Sequence, residues 1–171
     1  LKNLILLILS LLFYSFGEPV YIAVMVVLIV VAYFLALYIR KFNKLGKVEK
    51  ARGTLIGGII MCILVLCGFK YLSFLVSSIN VLMPIGMSLY IFNILSYLID
   101  VYRKDGKAQE NILEFALYIV MFPKIIWGPM VKYKDMAIQI NYRDETTKKF
   151  AEGIRKFVIG LGKTVVFAGF M

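Results

Sequence analysis

Four polar side chains recur along one apolar stretch of this 171-residue chain: Tyr90, Asn93, Tyr97 and Asp100, spaced by three, four and three residues. At helical periodicity that spacing stacks all four on one face. In a helix that meets lipid, such a face must turn toward protein or a water-filled cavity. Two readings therefore stand side by side, hydrogen bonding between helices and the lining of a substrate path. Asp100 and Arg103, one turn apart, also fit a local ion pair at the membrane interface.

A second group lies downstream, in Phe122-Pro-Lys-Ile-Ile-Trp-Gly-Pro-Met-Val-Lys-Tyr-Lys-Asp135. Here Pro123, Trp127, Gly128 and Pro129 break a helix where an ordinary membrane span would continue, and Lys132 and Tyr133 add a cation and a phenol. The two groups do not make a complete catalytic set. The chain contains no histidine, no Gly-x-Ser-x-Gly elbow, no Walker loop and no paired carboxylates in an apolar span. Cys62 and Cys67 fall on nearly opposite faces of one expected helix and cannot bridge to each other. They read as small buried hydrophobes, and no metal site is expected.

The elements that must position these residues are membrane helices. Apolar residues make up 61% of the chain, above the roughly 45–50% usual for soluble domains. Charges fall in clusters between long apolar gaps, so the fold class expected is all-α, a polytopic membrane protein. Spans are expected at 4–16, 20–39, 54–69 and 85–102. Gly17-Glu-Pro19 makes the first turn, and Pro84 with Gly86 interrupts what would otherwise run on from an interfacial helix at Tyr71–Asn80. Arg40, Lys41, Lys44, Lys47, Lys50 and Arg52 stand against the single acid Glu49 and mark a cytoplasmic loop. Arg103, Lys104 and Lys107 mark another.

One more full crossing after Asn111 would carry Lys132, Lys134, Arg143, Lys148, Lys149, Arg155 and Lys156 to the outside. A re-entrant segment over 111–129 resolves that conflict, because its apolar part, Phe115 to Phe122, is too short to cross. Residues 144–161 read as an amphipathic helix along the inner interface, with Phe150, Ile154, Phe157, Val158 and Leu161 at helical spacing. Beyond it a further apolar segment begins. Both ends of the chain read as truncation points. Gly53-x-x-x-Gly57 suits close packing within the chain more than dimerisation. The basic runs at 40–52 and 143–156 read as topology determinants facing anionic lipid, with attraction of a phosphate-rich donor as the second reading. They border spans and lack a groove-reading module, so nucleic acid is not an expected partner.

The chain resembles a known family, the membrane-bound O-acyltransferases, and within it the branch that modifies alginate by O-acetylation. The likeness runs through Leu11-Leu-Phe-Tyr-Ser-Phe-Gly-Glu-Pro19, Gly68-Phe-Lys-Tyr71, Pro84-Ile-Gly-Met-Ser88, Leu95-Ser-Tyr-Leu-Ile-Asp-Val-Tyr-Arg103, Phe122-Pro123, Gly128-Pro-Met-Val-Lys-Tyr133 and Phe150-Ala-Glu-Gly-Ile-Arg155. The resemblance implies a ring of helices with re-entrant pieces around a tunnel, set in a bacterial plasma membrane as a multi-pass protein. It implies no bound cofactor but an acyl thioester donor, acetyl-CoA or an acyl carrier, arriving from the cytosol. The acceptor it implies is a hydroxyl such as that of an extracellular polysaccharide, with a second extracytoplasmic acyltransferase as a partner.

The base it implies is a histidine within the membrane, which in relatives lies in the later half of a longer chain. This stretch is then the N-terminal portion of the membrane domain and inactive alone. By the same resemblance 122–135 lines the cytoplasmic approach, with Lys132 and Tyr133 toward the donor. Trp127 departs from the small residue common in relatives and would narrow that opening. A D-alanyl transfer protein of teichoic acid synthesis is the sister reading, and a non-catalytic transporter subunit the rival from another class.

The charge pattern generates a direct test of orientation. Cysteines introduced at Glu18 and Lys47 should react with membrane-impermeant reagents from opposite sides; labelling from the same side overturns the topology.

Overall fold

A computed structural model describes residues 2–17, 21–75, 86–106, 108–125, 131–141, 146–163 and 165–166. Among these residues all regular structure is helical: α1 (Lys2–Gly17), α2 (Tyr21–Lys44), α3 (Val48–Leu75), α4 (Met87–Arg103), α5 (Ile112–Val120), the single turn α6 (Phe122–Ile125), α7 (Tyr133–Asn141) and α8 (Thr147–Lys163). The chain forms two compact units, 1–140 and 141–171.

In the first unit, α2 is rich in Ile and Val, residues that disfavour helix in water. Twenty-four residues nonetheless stay helical, because in hydrocarbon a helix is the way for one segment to satisfy all its own backbone groups. Gly46, at φ 69°, ends α2 in the left-handed conformation, and Lys47 N–H returns to the Phe42 carbonyl at 3.0 Å. The chain then reverses into α3. Both helices are long and apolar enough to cross a membrane. α4 packs against both α2 and α3, while α5 packs against α1, α2 and α4.

The outward faces of α1, α2 and α3 are apolar. Ile5, Leu9, Leu12 and Phe13 of α1, Val27 and Phe34 of α2, and Ile60 and Leu64 of α3 are all exposed. A surface of that extent suits lipid rather than water, and the protein is a membrane protein. The core is built mainly by α2, α4 and α5, and its largest fully buried side chains are Tyr90, Tyr97, Tyr118 and Phe115.

Helix ends differ from those expected in sequence. α2 runs past Ile39 to Lys44, and α3 starts at Val48 rather than Thr54. Charged residues at these ends are good helix formers whose stems continue the rod into the interface. α3 also continues through Tyr71 to Leu75, so these residues extend the span and do not begin a separate interfacial helix. Residues 76–85, including Pro84, lie outside the described residues. α5 and α6 occupy the stretch read as re-entrant, and its end at 126–129 lies outside them too.

The second unit is α8 taken by itself. It begins at Thr147, three residues after the expected start, with Thr146 Oγ1 accepting from Lys149 N–H at 3.3 Å, a side-chain cap. Asp144 and Glu145 lie outside the described residues. Lys156 and Glu152 pair at 3.1 Å one turn apart.

Among the described residues Gly53 and Gly57 are not contact points, for a Cβ built on either meets nothing within 4 Å. The close approach is at Gly58, where a Cβ would stand 3.0 Å from Leu98 Cδ1 and 3.3 Å from Leu35 Cδ1. The correction follows from where α4 crosses α3, which glycine spacing alone does not specify. Gly58→Leu should therefore destabilise the helix packing by about 1–3 kcal/mol, seen as a lower melting temperature in detergent. Gly57→Leu should melt as the parent does, and equal behaviour of the two would refute the contact.

Candidate functional site

The amphipathic pattern of α4 buries its polar stripe. Tyr90 and Tyr97 are fully buried, Asn93 is 3% exposed and Asp100 is half-buried. The ring of Tyr97 lies 4.6 Å from that of Phe115 and meets Tyr133 edge-on at 5.0 Å. Tyr133 in turn stands edge-on to Tyr118 at 5.1 Å. The two groups separated in sequence thus touch through Tyr97 and Tyr133.

Hydrogen bonds fix that junction. Asn111 caps α5, its side chain accepting from Leu113 N–H, and its amide also reaches Glu114. The capped helix projects Tyr118, whose hydroxyl donates to the Val131 carbonyl at 2.9 Å and ties the approach to α7 back onto α5. The Tyr97 hydroxyl accepts from Gln109 N–H at 2.9 Å, holding the loop after α4. Asn93 Oδ1 and Asp100 Oδ2 are buried and accept no hydrogen bond among the described residues. Buried polar atoms are normally satisfied, and these two are the exceptions to be explained among the described residues of α4. Asp100 makes no ion pair with Arg103, which is exposed; instead its carbonyl receives Asp105 N–H at 3.0 Å and closes the helix end.

A cleft of about 610 Å³ opens beside this end of α4, lined by Arg40, Asn43, Lys44, Val101, Lys104 and Glu110 among others. Arg40 bonds Glu110 Oε1 at 2.5 Å, and that guanidinium holds the exposed Glu110 carboxyl below its ordinary range. Asn43 donates to the Tyr102 carbonyl at 3.1 Å, and the Tyr33 hydroxyl donates to the Glu110 carbonyl at 2.5 Å. These bonds join α2, α4 and the start of α5 at the level of the basic loops.

Lys132 and Lys134 are exposed at the start of α7, where cations can meet a ligand from water. Pro123 stands in the α6 turn, and Trp127, Gly128 and Pro129 lie outside the described residues. One residue passed over in sequence stands out. Lys124 is 6% exposed, with its Nζ 3.7 Å from the Tyr118 ring centroid and 3.5 Å from the Tyr118 carbonyl. A lysine interrupting the apolar run from Phe115 to Ile126 was the signal available for it.

No family model and no solved structure matches the chain. Among curated proteins it is 37% identical to the probable alginate O-acetylase AlgI of Pseudomonas syringae pv. tomato, an alignment covering 98% of this chain and 35% of that protein. It is 36% identical to the probable alginate O-acetylase AlgI of Pseudomonas aeruginosa, again over 98% of this chain and 35% of the relative. To the peptidoglycan O-acetyltransferase of Helicobacter pylori it is 28% identical, over 93% of this chain and 37% of that protein. The chain spans about a third of the length of the curated relatives it matches.

The tie between α5 and α7 is open to a one-atom test. Tyr118→Phe keeps the ring and deletes the donor to Val131, which should reduce stability by about 1 kcal/mol. An unchanged thermal transition of the purified protein would show that the bond contributes nothing.

Proposed function

Since the chain is homologous over 98% of its length to the alginate O-acetylases, membrane-bound O-acyltransferases, we propose that it forms part of an enzyme that moves an acyl group, acetyl above all, from a cytosolic thioester to a hydroxyl of an extracellular glycan. That homology, reaching two kinds of O-acetylating protein, is the observation that carries the reading. Alginate and peptidoglycan are both hydroxyl-bearing glycans outside the inner membrane. A polymer hydroxyl is therefore the acceptor class for this chain, and the bacterial plasma membrane its place.

In this reading the donor's phosphates stay near water, with Lys132, Lys134 and the cations around the cleft at Arg40. The acyl end advances toward the buried junction of Tyr97, Tyr133 and the open acceptors Asn93 and Asp100. Asn93, two turns further from the cytoplasmic end of α4 than Asp100, can accept from the hydroxyl of the incoming glycan. Segment 111–129 is read as entering and returning on the cytoplasmic side; the sequence candidates Trp127, Gly128 and Pro129 within it lie outside the described residues. Chemistry needs a base to take the hydroxyl proton as the C–O bond forms and the C–S bond breaks. The 171 residues hold no histidine, so an imidazole base would come from the remainder of a full-length protein, and these residues alone are inactive. α8 rests on the inner leaflet by its apolar face.

Full-length protein in liposomes, given acetyl-labelled thioester on one side and glycan on the other, should deliver label to the glycan as an ester. Movement of unmodified glycan or donor without ester formation would instead make it a transporter. Lys132→Gln with Lys134→Gln should raise KM for the donor several-fold with little change in kcat; unchanged kinetics would leave these lysines to topology alone.

A further inference from the structure

Lys124 is a buried cation. Its side chain is almost wholly covered, its polar and ring contacts among the described residues are the face and the carbonyl of Tyr118, and no carboxylate pairs with it among them. Nor does it lie near the wet rim. The Arg40–Glu110 pair marks the cytoplasmic level, and from there α5 runs nine residues inward, roughly 13 Å at helical rise.

The α6 turn meets α1 at its middle, where Phe122 N–H donates to the buried Ser10 hydroxyl at 3.4 Å and the Phe13 and Phe122 rings lie 5.6 Å apart. Lys124 therefore sits near half the depth of a bilayer core of about 30 Å. An ammonium there is expensive to desolvate, and such residues mark pathways and reaction centres. The face of Tyr118 and its carbonyl offset part of that cost and leave the charge available.

We propose that Lys124 is a catalytic residue of acyl transfer, its ammonium stabilising the negative charge that forms on the acyl oxygen in mid-membrane. The inference rests on the acyltransferase reading above. The acceptor hydroxyl adds to the thioester carbonyl carbon, its proton going to the base of the full-length protein. The new C–O bond converts the carbonyl into an oxyanion, which lies against the Lys124 ammonium. Collapse restores the carbonyl, breaks the C–S bond and expels the thiolate, which takes its proton back from the base. Lys124 gives up no proton in this sequence. Depth separates this role from phosphate recognition, because the donor's phosphates are held by the exposed cations near water while its uncharged acyl end alone travels inward. A preformed cation in a dry site acts most strongly on charge that appears only in the transition state.

The test uses full-length protein in lipid nanodiscs, with acetyl-thioester donor and glycan acceptor, comparing parent, Lys124→Met and Lys124→Gln. Both neutral variants should lose about 100-fold in kcat while KM for the donor stays within about twofold. Met fills the same space without charge, so it should fold as the parent does; Gln serves if it does not. A folded neutral variant with parental kcat overturns the proposal, and so does a raised KM with kcat retained, which would make Lys124 a binding cation. A parent protein that transfers no acetyl overturns the acyltransferase reading itself, a result distinct from an active parent matched by its variants.

Discussion

Hydrocarbon offers no hydrogen bonds, and that constraint organises the first unit. Every polar atom on a helix that meets lipid must find a partner inside the protein or a cavity. The outer faces of α1, α2 and α3 obey by carrying apolar side chains. α4 obeys by turning Tyr90, Asn93 and Tyr97 wholly inward, which obliges α5 and the segment leading into α7 to supply the opposite wall. The aromatic contacts of Tyr97 with Phe115 and Tyr133 are that wall. Removing the polar stripe would remove the reason for α4 to be enclosed.

Much of this was legible in the residues, because period and composition act locally. A polar stripe at three, four and three spacing has one face to go to, and the structure places that face in the core. The basic stretch joining α2 to α3 was equally plain, since its six cations stand against the single acid Glu49. Less legible was anything set by how helices cross. Gly53 and Gly57 carried the packing motif, yet Gly58 carries the contact, because only the path of α4 decides which glycine lies beneath Leu98.

The same limit explains why Lys124 escaped notice. In sequence it is one lysine in a lysine-rich chain, preceded by proline and followed by apolar residues. Its meaning comes from the ring and carbonyl of Tyr118 and from the seat of nearby Phe122 on Ser10 and Phe13 of α1, which tertiary structure sets. The contact between Tyr97 and Tyr133 was hidden in a similar way, since each residue was singled out but nothing local joined them. Similarity to alginate O-acetylases over 98% of the chain supplies what periodicity cannot, for polar stripes and broken helices serve transporters and transferases alike.

The length of α3 has a further consequence. Its 28 residues make a rod of roughly 42 Å, longer than a typical hydrocarbon slab of about 30 Å. The excess is accounted for by the charged first turns, 48–53, which carry the rod out of the hydrocarbon and into the interface. Further along the same rod Gly58 lies beneath Leu98 of α4, one position from Tyr97, so the enclosed polar face rests on a helix seated where the partner has no side chain.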